Sequence, residues 1–352
     1  MDDLESMLCR KAQRFLSDRR GLRRPQVAPV FRQRRYIAPH DLWVENYLRP
    51  RPLAAFNPGA AQVEGKVYLF PRLVFDYYSY ASAIGMVELE AAALLAGELP
   101  RPLLTRLVLW PQHLWEAVRG CEDPRVMPLE DRFWILYTGV GKVGWQRRTE
   151  HKDVHGTVLA FAELDHAGTV RRKAPVGIAW NRRRYFLPNK DSAFVSLQEG
   201  QAVLVTRPSL RGLPDLGWRG ELDLESMTIR GDSLEPVLAP EPFEYKVGWS
   251  TNALPLPDGT FLVGWHGVFR EDLSYRNGLA RVDTAGRLLA LSDYLLIPQG
   301  VNEAFGDRPL TLFGNGLLCL GDHLVWVGGV GDYAIGLFIA DLQEALSALH
   351  PV

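Results

Sequence analysis

The sequence predicts an all-β protein, a five-bladed β-propeller preceded by an N-terminal helix and arm, and three observations carry that expectation. Beyond residue 50, turn residues and short apolar runs replace helical periodicity. Five segments repeat one pattern, a strand, a tight turn on Gly or Asp, and a second, more apolar strand. The turns fall near Gly65, Asp131, Gly200, Gly259 and Asp322, a period of roughly 60–70 residues.

Taken in order, residues 1–50 read as a helix and a basic arm, and residues 51–352 as the propeller domain. In "MDDLESMLCRKAQRFL" the residues Leu4, Met7, Leu8, Ala12 and Phe15 share one helical face. The segment lacks the apolar stretch and small-residue cleavage site of a signal peptide. The following "DRRGLRRPQVAPVFRQRR" is expected as a solvated arm or an oligomer contact rather than a site for an acidic partner.

The five repeats are "NPGAAQVEGKVYLFPRLVF", "DPRVMPLEDRFWILYTGV", "KDSAFVSLQEGQAVLVTRP", "STNALPLPDGTFLVGWHGV" and "GNGLLCLGDHLVWVGGV". Third strands follow in "SAIGMVEL", "GTVLAFAEL", "NGLARVD" and "AIGLFIADL", with "DLGWRGELDL" a poorer copy in the third unit. The main helical interruption is "VELEAAALLAG". A lone unit of this kind cannot bury both faces, so such units stack radially into a ring. A sandwich or barrel with fortuitously similar hairpins is the alternative.

Composition narrows the function. Forty basic against 41 acidic residues give a net charge of −1, which exerts no global pull on nucleic acid or an anionic membrane. No apolar run is long enough to span a bilayer. Cys9, Cys121 and Cys319 form no CxxC or CxxH pair, so neither a zinc site nor a disulfide framework is indicated, and a soluble protein of the reducing cytoplasm is expected.

Counting from each turn places polar residues in register. Asn57, Asp123, Asp191 with Lys190, Thr251 or Asn252, and Asn315 begin the first strands, whereas Arg72, Thr138, Arg207, His266 and Gly329 end the second. The start and end of an antiparallel pair share an edge, so a ring of blades delivers both sets to one mouth. The opposite turns carry nothing reactive. No GxSxG elbow, HExxH or phosphate-binding glycine loop is present. The set offers one strong acid, a second carboxylate beside a lysine, and several cations. Hydrolysis with inversion needs an acid and a separate base. An anionic phosphate nucleophile needs cations to hold it and an acid for the leaving oxygen, but no base. The set therefore fits phosphorolysis better than hydrolysis.

These same residues resemble the mannoside phosphorylases of glycoside hydrolase family 130, which are five-bladed propellers. The likeness spans residues 50–345 and rests on "NPG" with "GKVYLFPR", "EDPRV", "NKD", "TRP", "GWHGV" and "GDYAIGLFIADL". The resemblance implies that Asp123 donates a proton to the glycosidic oxygen, directly or through a sugar hydroxyl. It implies that Asn57, Arg72 and Asp332 hold the mannosyl unit. Lys190, Arg207 and His266 would cradle phosphate, which attacks with inversion to give α-mannose 1-phosphate. No metal or organic cofactor is implied; inorganic phosphate is a co-substrate and an oligosaccharide or disaccharide the other. A homo-oligomer joined through the N-terminal helix is a further expectation. One departure stands out: in "VGWSTNALPLPDG", Leu256 or Pro257 occupies the place expected for a phosphate-binding lysine. An inverting hydrolase with Asp191 or Glu244 as base, and a non-catalytic sugar-binding propeller, are the alternatives.

Other conspicuous residues have plainer readings. Glu122 is expected to pair with Arg125, with a sugar-hydroxyl acceptor as the alternative. Trp134, Trp265 and Trp326 sit in apolar strands and should pack. Arg147, Arg148 and Arg182 to Arg184 read as solvated loops. Tyr77, Tyr78 and Tyr80 suit either a sugar platform or a rim, and "YRNG" at Tyr275 to Gly278 either a rim or a strand entry.

Overall fold

Alternating small and apolar residues around Gly- or Asp-centred turns build five antiparallel hairpins, each extended by a third strand. In the computed structural model, which describes residues 3–18, 21–142 and 156–352, the hairpins are Ala54–Val63 with Lys66–Val74, Gly120–Pro128 with Arg132–Gly141, Asn189–Gln198 with Gln201–Pro208, Glu244–Pro255 with Phe261–Phe269, and Leu312–Leu320 with His323–Val330. The third strands are Ser82–Glu90, Gly156–Asp165, Gly217–Asp223, Tyr275–Val282 and Ala334–Asp341. The segment "DLGWRGELDL" thus forms its strand despite its weak pattern. In "VELEAAALLAG" the first residues continue a strand, and the helix is confined to Ala91–Ala96, closed by Gly97 in the left-handed conformation.

The first strand of each unit touches the first strand of the next: Ala54–Val63 meets Gly120–Pro128, which meets Asn189–Gln198, which meets Glu244–Pro255, which meets Leu312–Leu320. That last strand returns to Ala54–Val63, so the five first strands form a closed circuit. Between neighbouring units lie the apolar layers, including one built on Leu69, Val87, Val325 and Leu337 and another on Val205, Val247, Trp249 and Trp265. Trp265 and Trp326 are fully buried, and Trp134 packs edge-on to Phe161, so all three pack as expected. No helix among the described residues is long and apolar enough to cross a membrane.

Residues before 50 do not stand apart from the strand domain. Gln33–Ile37 pairs with Ala334–Asp341 as the outer strand of the last sheet, and Leu42–Val44 pairs in parallel with Leu103–Leu109. The arm is not simply solvated either. Arg23 is buried, donates to Glu244 and to the Ala239 carbonyl, and lies over the Trp265 ring; a buried cation persists only with such partners. The helix Asp3–Asp18 buries Leu4, Leu8 and Ala12 against Trp218, Ile229 and Leu234 of its own chain. Its apolar stripe is therefore spent within the molecule. Arg147 and Arg148 lie outside the described residues, and Arg182 to Arg184 are exposed.

Candidate active site

A β-bulge with a left-handed residue is what aims the site. The pairing register slips between Phe56 and Gly59, between Glu122 and Arg125, and between Lys190 and Ala193. Within these three slips Asn57, Asp123 and Asp191 take φ of 45°, 52° and 52°. Asn and Asp tolerate this region better than other non-glycine residues, and a bulge re-aims the side chain at its apex. Three units thus present a carboxylate or amide by the same local device.

Together they line a cavity of about 600 Å³ with Arg72, Lys190, Arg207, His266 and Asp332. All eight were singled out from the sequence, and the cavity brings them together. The other in-register positions are not. Thr251 caps Gly264 N, Asn252 ties Leu317 at both its N–H and its carbonyl, and Asn315 donates to the Pro124 carbonyl. These side chains bond to backbone within their hairpin, to the next unit or across the circuit, and do not line the cavity. Thr138 is buried in its strand. Gly329 has a steric role: a Cβ there would lie 2.0 Å from Asn57 Oδ1.

One end of the cavity is carboxylate-rich. Asn57 Nδ2 donates to Asp123 Oδ1 at 2.9 Å, and Arg72 Nη1 donates to the same oxygen at 3.2 Å. Asp123 Oδ2 makes no hydrogen bond among the described residues, which leaves it open to a ligand. Glu122 pairs with Arg72 at 2.8 Å, not with Arg125. Arg125 instead donates to the Asp123 and Ser250 carbonyls and pairs with Asp191. Asp332 faces the same group. Burial, against Arg72 and Arg308 but reinforced by Asp123 and Asp307, pushes its carboxyl up to about 6.

The other end is cationic. Lys190, Arg207 and Lys246 line it, and neither lysine makes an ion pair among the described residues. Asp191 sits between Arg125 and Arg207. Burial disfavours its charge, yet Arg207, Arg125, His266 and Lys190 outweigh burial and hold its carboxyl well below the usual range. His266 was expected as a phosphate-binding cation, but its charge is removed. Burial, with Arg207, Lys246 and Arg125 nearby, depresses it to about 3 despite Asp191. Its Nδ1 lies 3.0 Å from Ser250 Oγ, and its ring packs against Tyr275 and Phe313. It offers a neutral hydrogen bond, not a charge.

Lys246 is the residue that reading the sequence missed. Leu256, where the sequence led us to expect a phosphate-binding lysine, begins the turn at the opposite end of its hairpin. The strand Glu244–Pro255 is 12 residues long and slips register between Trp249 and Ala253. Lys246 therefore pairs beside Val268, two residues past His266, at the cavity end. Its signal was the spacing to "GWHGV", obscured by that bulge. Lys246 adds a cation to the lining that the sequence reading lacked.

A family model described as beta-1,4-mannooligosaccharide phosphorylase matches residues 21–350 of the 352. The chain belongs to glycoside hydrolase family 130. A beta-1,2-mannobiose phosphorylase from a Thermoanaerobacter strain is 24% identical over 278 residues, covering 76% of this chain and 80% of that one. A 1,2-beta-oligomannan phosphorylase from the same strain is 24% identical over 303 residues, covering 83% and 91%. Among solved structures, a beta-1,2-mannobiose phosphorylase from Listeria innocua in complex with beta-1,2-mannobiose superposes with a TM-score of 0.65 at 17% identity, covering 90% of this chain and 98% of that one.

Proposed function

We propose that this family 130 chain is an inverting phosphorylase of β-mannosides, built as a five-bladed propeller whose channel mouth is the cavity above. The circuit of first strands supports the propeller reading. The observation that carries the chemistry is one cavity with an open carboxylate oxygen at one end and Lys190, Lys246 and Arg207 at the other, where Asp191 lies between Arg125 and Arg207 and Arg207 also pairs with Asp215.

In this reading Asn57, Arg72 and Asp332 hold the mannosyl unit beside Asp123. Lys190, Arg207 and Lys246 bind phosphate by charge-assisted hydrogen bonds, and neutral His266 adds a further contact. A phosphate oxygen forms the new bond to the anomeric carbon as the glycosidic bond breaks, and the departing oxygen takes the Asp123 proton, directly or through a sugar hydroxyl. Inversion gives α-mannose 1-phosphate.

Hydrolysis would need a base on the side away from Asp123. Glu244 is fully buried, bonded to Arg23 and Tyr294, and does not line the cavity. Asp191 lies on that side, but a carboxyl held so firmly ionised is a weak base. The non-catalytic reading rested on a missing cation, and Lys246 supplies one.

The test is turnover of β-mannosyl disaccharides with and without phosphate. The proposal expects α-mannose 1-phosphate in step with phosphate and almost no free mannose. Free mannose released equally in both conditions would overturn it.

A further inference from the structure

The cavity rim beside Asp332 carries aromatic rings that no residue role so far explains. Tyr77, Tyr78 and Tyr80 all line the cavity. Tyr78 is 98% and Tyr77 44% exposed, so both rings present apolar faces at the cavity rim. Tyr80 is fixed on three counts: its ring faces the Arg72 guanidinium at 5.6 Å, its hydroxyl donates to Asp307 at 3.2 Å, and it holds φ of 53°. Tyr77 then leans on Tyr80, ring centroids 5.8 Å apart and planes 32° apart. Burial and the nearby Asp307 and Tyr333 raise the Tyr77 hydroxyl above its ordinary value. One ring is thus held firmly and a second rests on it, with its outer face free.

The position of this wall follows from the stereochemistry of the proposed function, on which the inference rests. In an inverting displacement nucleophile and leaving group occupy opposite sides of the anomeric carbon. Phosphate at the Lys190, Arg207 and Lys246 end sends the leaving sugar out past Asp123 and Arg72, where the tyrosines stand. We propose that Tyr77 is the stacking platform for the apolar face of the leaving pyranose, and that Tyr78 carries the next sugar of a longer acceptor. The chain then favours oligosaccharide over monosaccharide acceptors. Amphipathic rings suit a ligand that is apolar on its faces and hydroxylated at its edges.

The experiment runs the reaction in the synthetic direction, from α-mannose 1-phosphate with mannose, β-mannobiose and β-mannotriose as acceptors. Native enzyme should show a lower KM for the oligosaccharides. Y77A should raise KM roughly 3- to 10-fold for every acceptor, and Y78A by a similar factor for the oligosaccharides alone. Phosphorolysis of β-mannosyl fluoride, which has no leaving sugar, should be unchanged in both variants and serves as the check on folding. Fluoride turnover with native acceptor KM values in both variants overturns this inference alone. No phosphate-dependent fluoride turnover by the native enzyme overturns the phosphorylase reading and this inference with it.

Discussion

Replacing Lys246 with methionine separates a cation that belongs to the phosphate site from one that merely decorates a strand. The ammonium forms no ion pair among the described residues and lies over the Tyr275 ring, 5.2 Å from its centroid. Folding therefore loses at most the cation–π contribution, about 0.5–1 kcal/mol at an accessible site. Phosphate loses a charge-assisted bond worth about 1.5–3 kcal/mol, which corresponds to roughly a 10- to 150-fold rise in phosphate KM. Initial rates with phosphate varied at saturating mannoside measure this, and thermal melting reports any loss of stability. Leu256→Ala is the matched control, because Leu256 packs in the layer around Leu262 and Leu324 at the far end of the hairpin. It lowers the melting temperature and leaves the phosphate KM alone. A Lys246→Met enzyme with native phosphate KM, or a Leu256→Ala enzyme with a raised one, would refute the reassignment of the cation.

Asp123→Asn keeps the size of the side chain but removes the proton donor, so kcat falls by about 10²–10⁴ while phosphate affinity, read by calorimetry, holds. Gly329→Ala places a methyl against Asn57 Oδ1; the expected cost is about 1–3 kcal/mol of stability, with a raised mannoside KM, measured by denaturant melts and kinetics. Asp332 makes stability depend on pH. An unfolded Asp ionises near about 3.9, whereas the folded carboxyl is pushed up to about 6, so between those values the folded state holds the extra proton. The contribution of Asp332 is full below the lower value and is lost as pH rises through the upper one. Asp332→Asn removes that term, and its melting temperature declines less than the native one between pH 4 and 7; equal slopes would show that the side chain is not buried as described.

Much of this arrangement could be read from the chain because a repeat amplifies weak signals. Any one of Asn57, Arg72, Asp123, Lys190, Arg207 or His266 is an unremarkable polar residue at a strand end, but turns at Gly65, Asp131 and Gly200 set a common origin from which they align. Counting failed in the fourth unit, whose first strand is longest and slips register twice, between Glu244 and Lys246 and between Trp249 and Ala253. There Asn252 bonds to Leu317, and Lys246, near the start of the strand, lines the cavity instead. Pairing between units was illegible for a different reason. Glu122 is three residues from Arg125, yet it bonds to Arg72 of the preceding unit, while Arg125 reaches Asp191 of the following one. Only the closed stacking of the units brings these charges together. Likewise nothing in the basic composition of residues 18–35 marks Arg23 as the one that Glu244 and Trp265 bury. The neutrality of His266 is a matter of environment, since burial among cations overrides the side chain's own preference.

The most direct measurement is a crystal structure of the Asp123→Asn enzyme with phosphate and β-mannobiose bound together. Phosphate lodged among Lys190, Arg207 and Lys246, with the scissile oxygen within hydrogen-bond reach of the substituted side chain at 123, directly or through one sugar hydroxyl, is the result this account predicts. Phosphate bound elsewhere, or a mannosyl unit seated away from Asn57, Arg72 and Asp332, would contradict it.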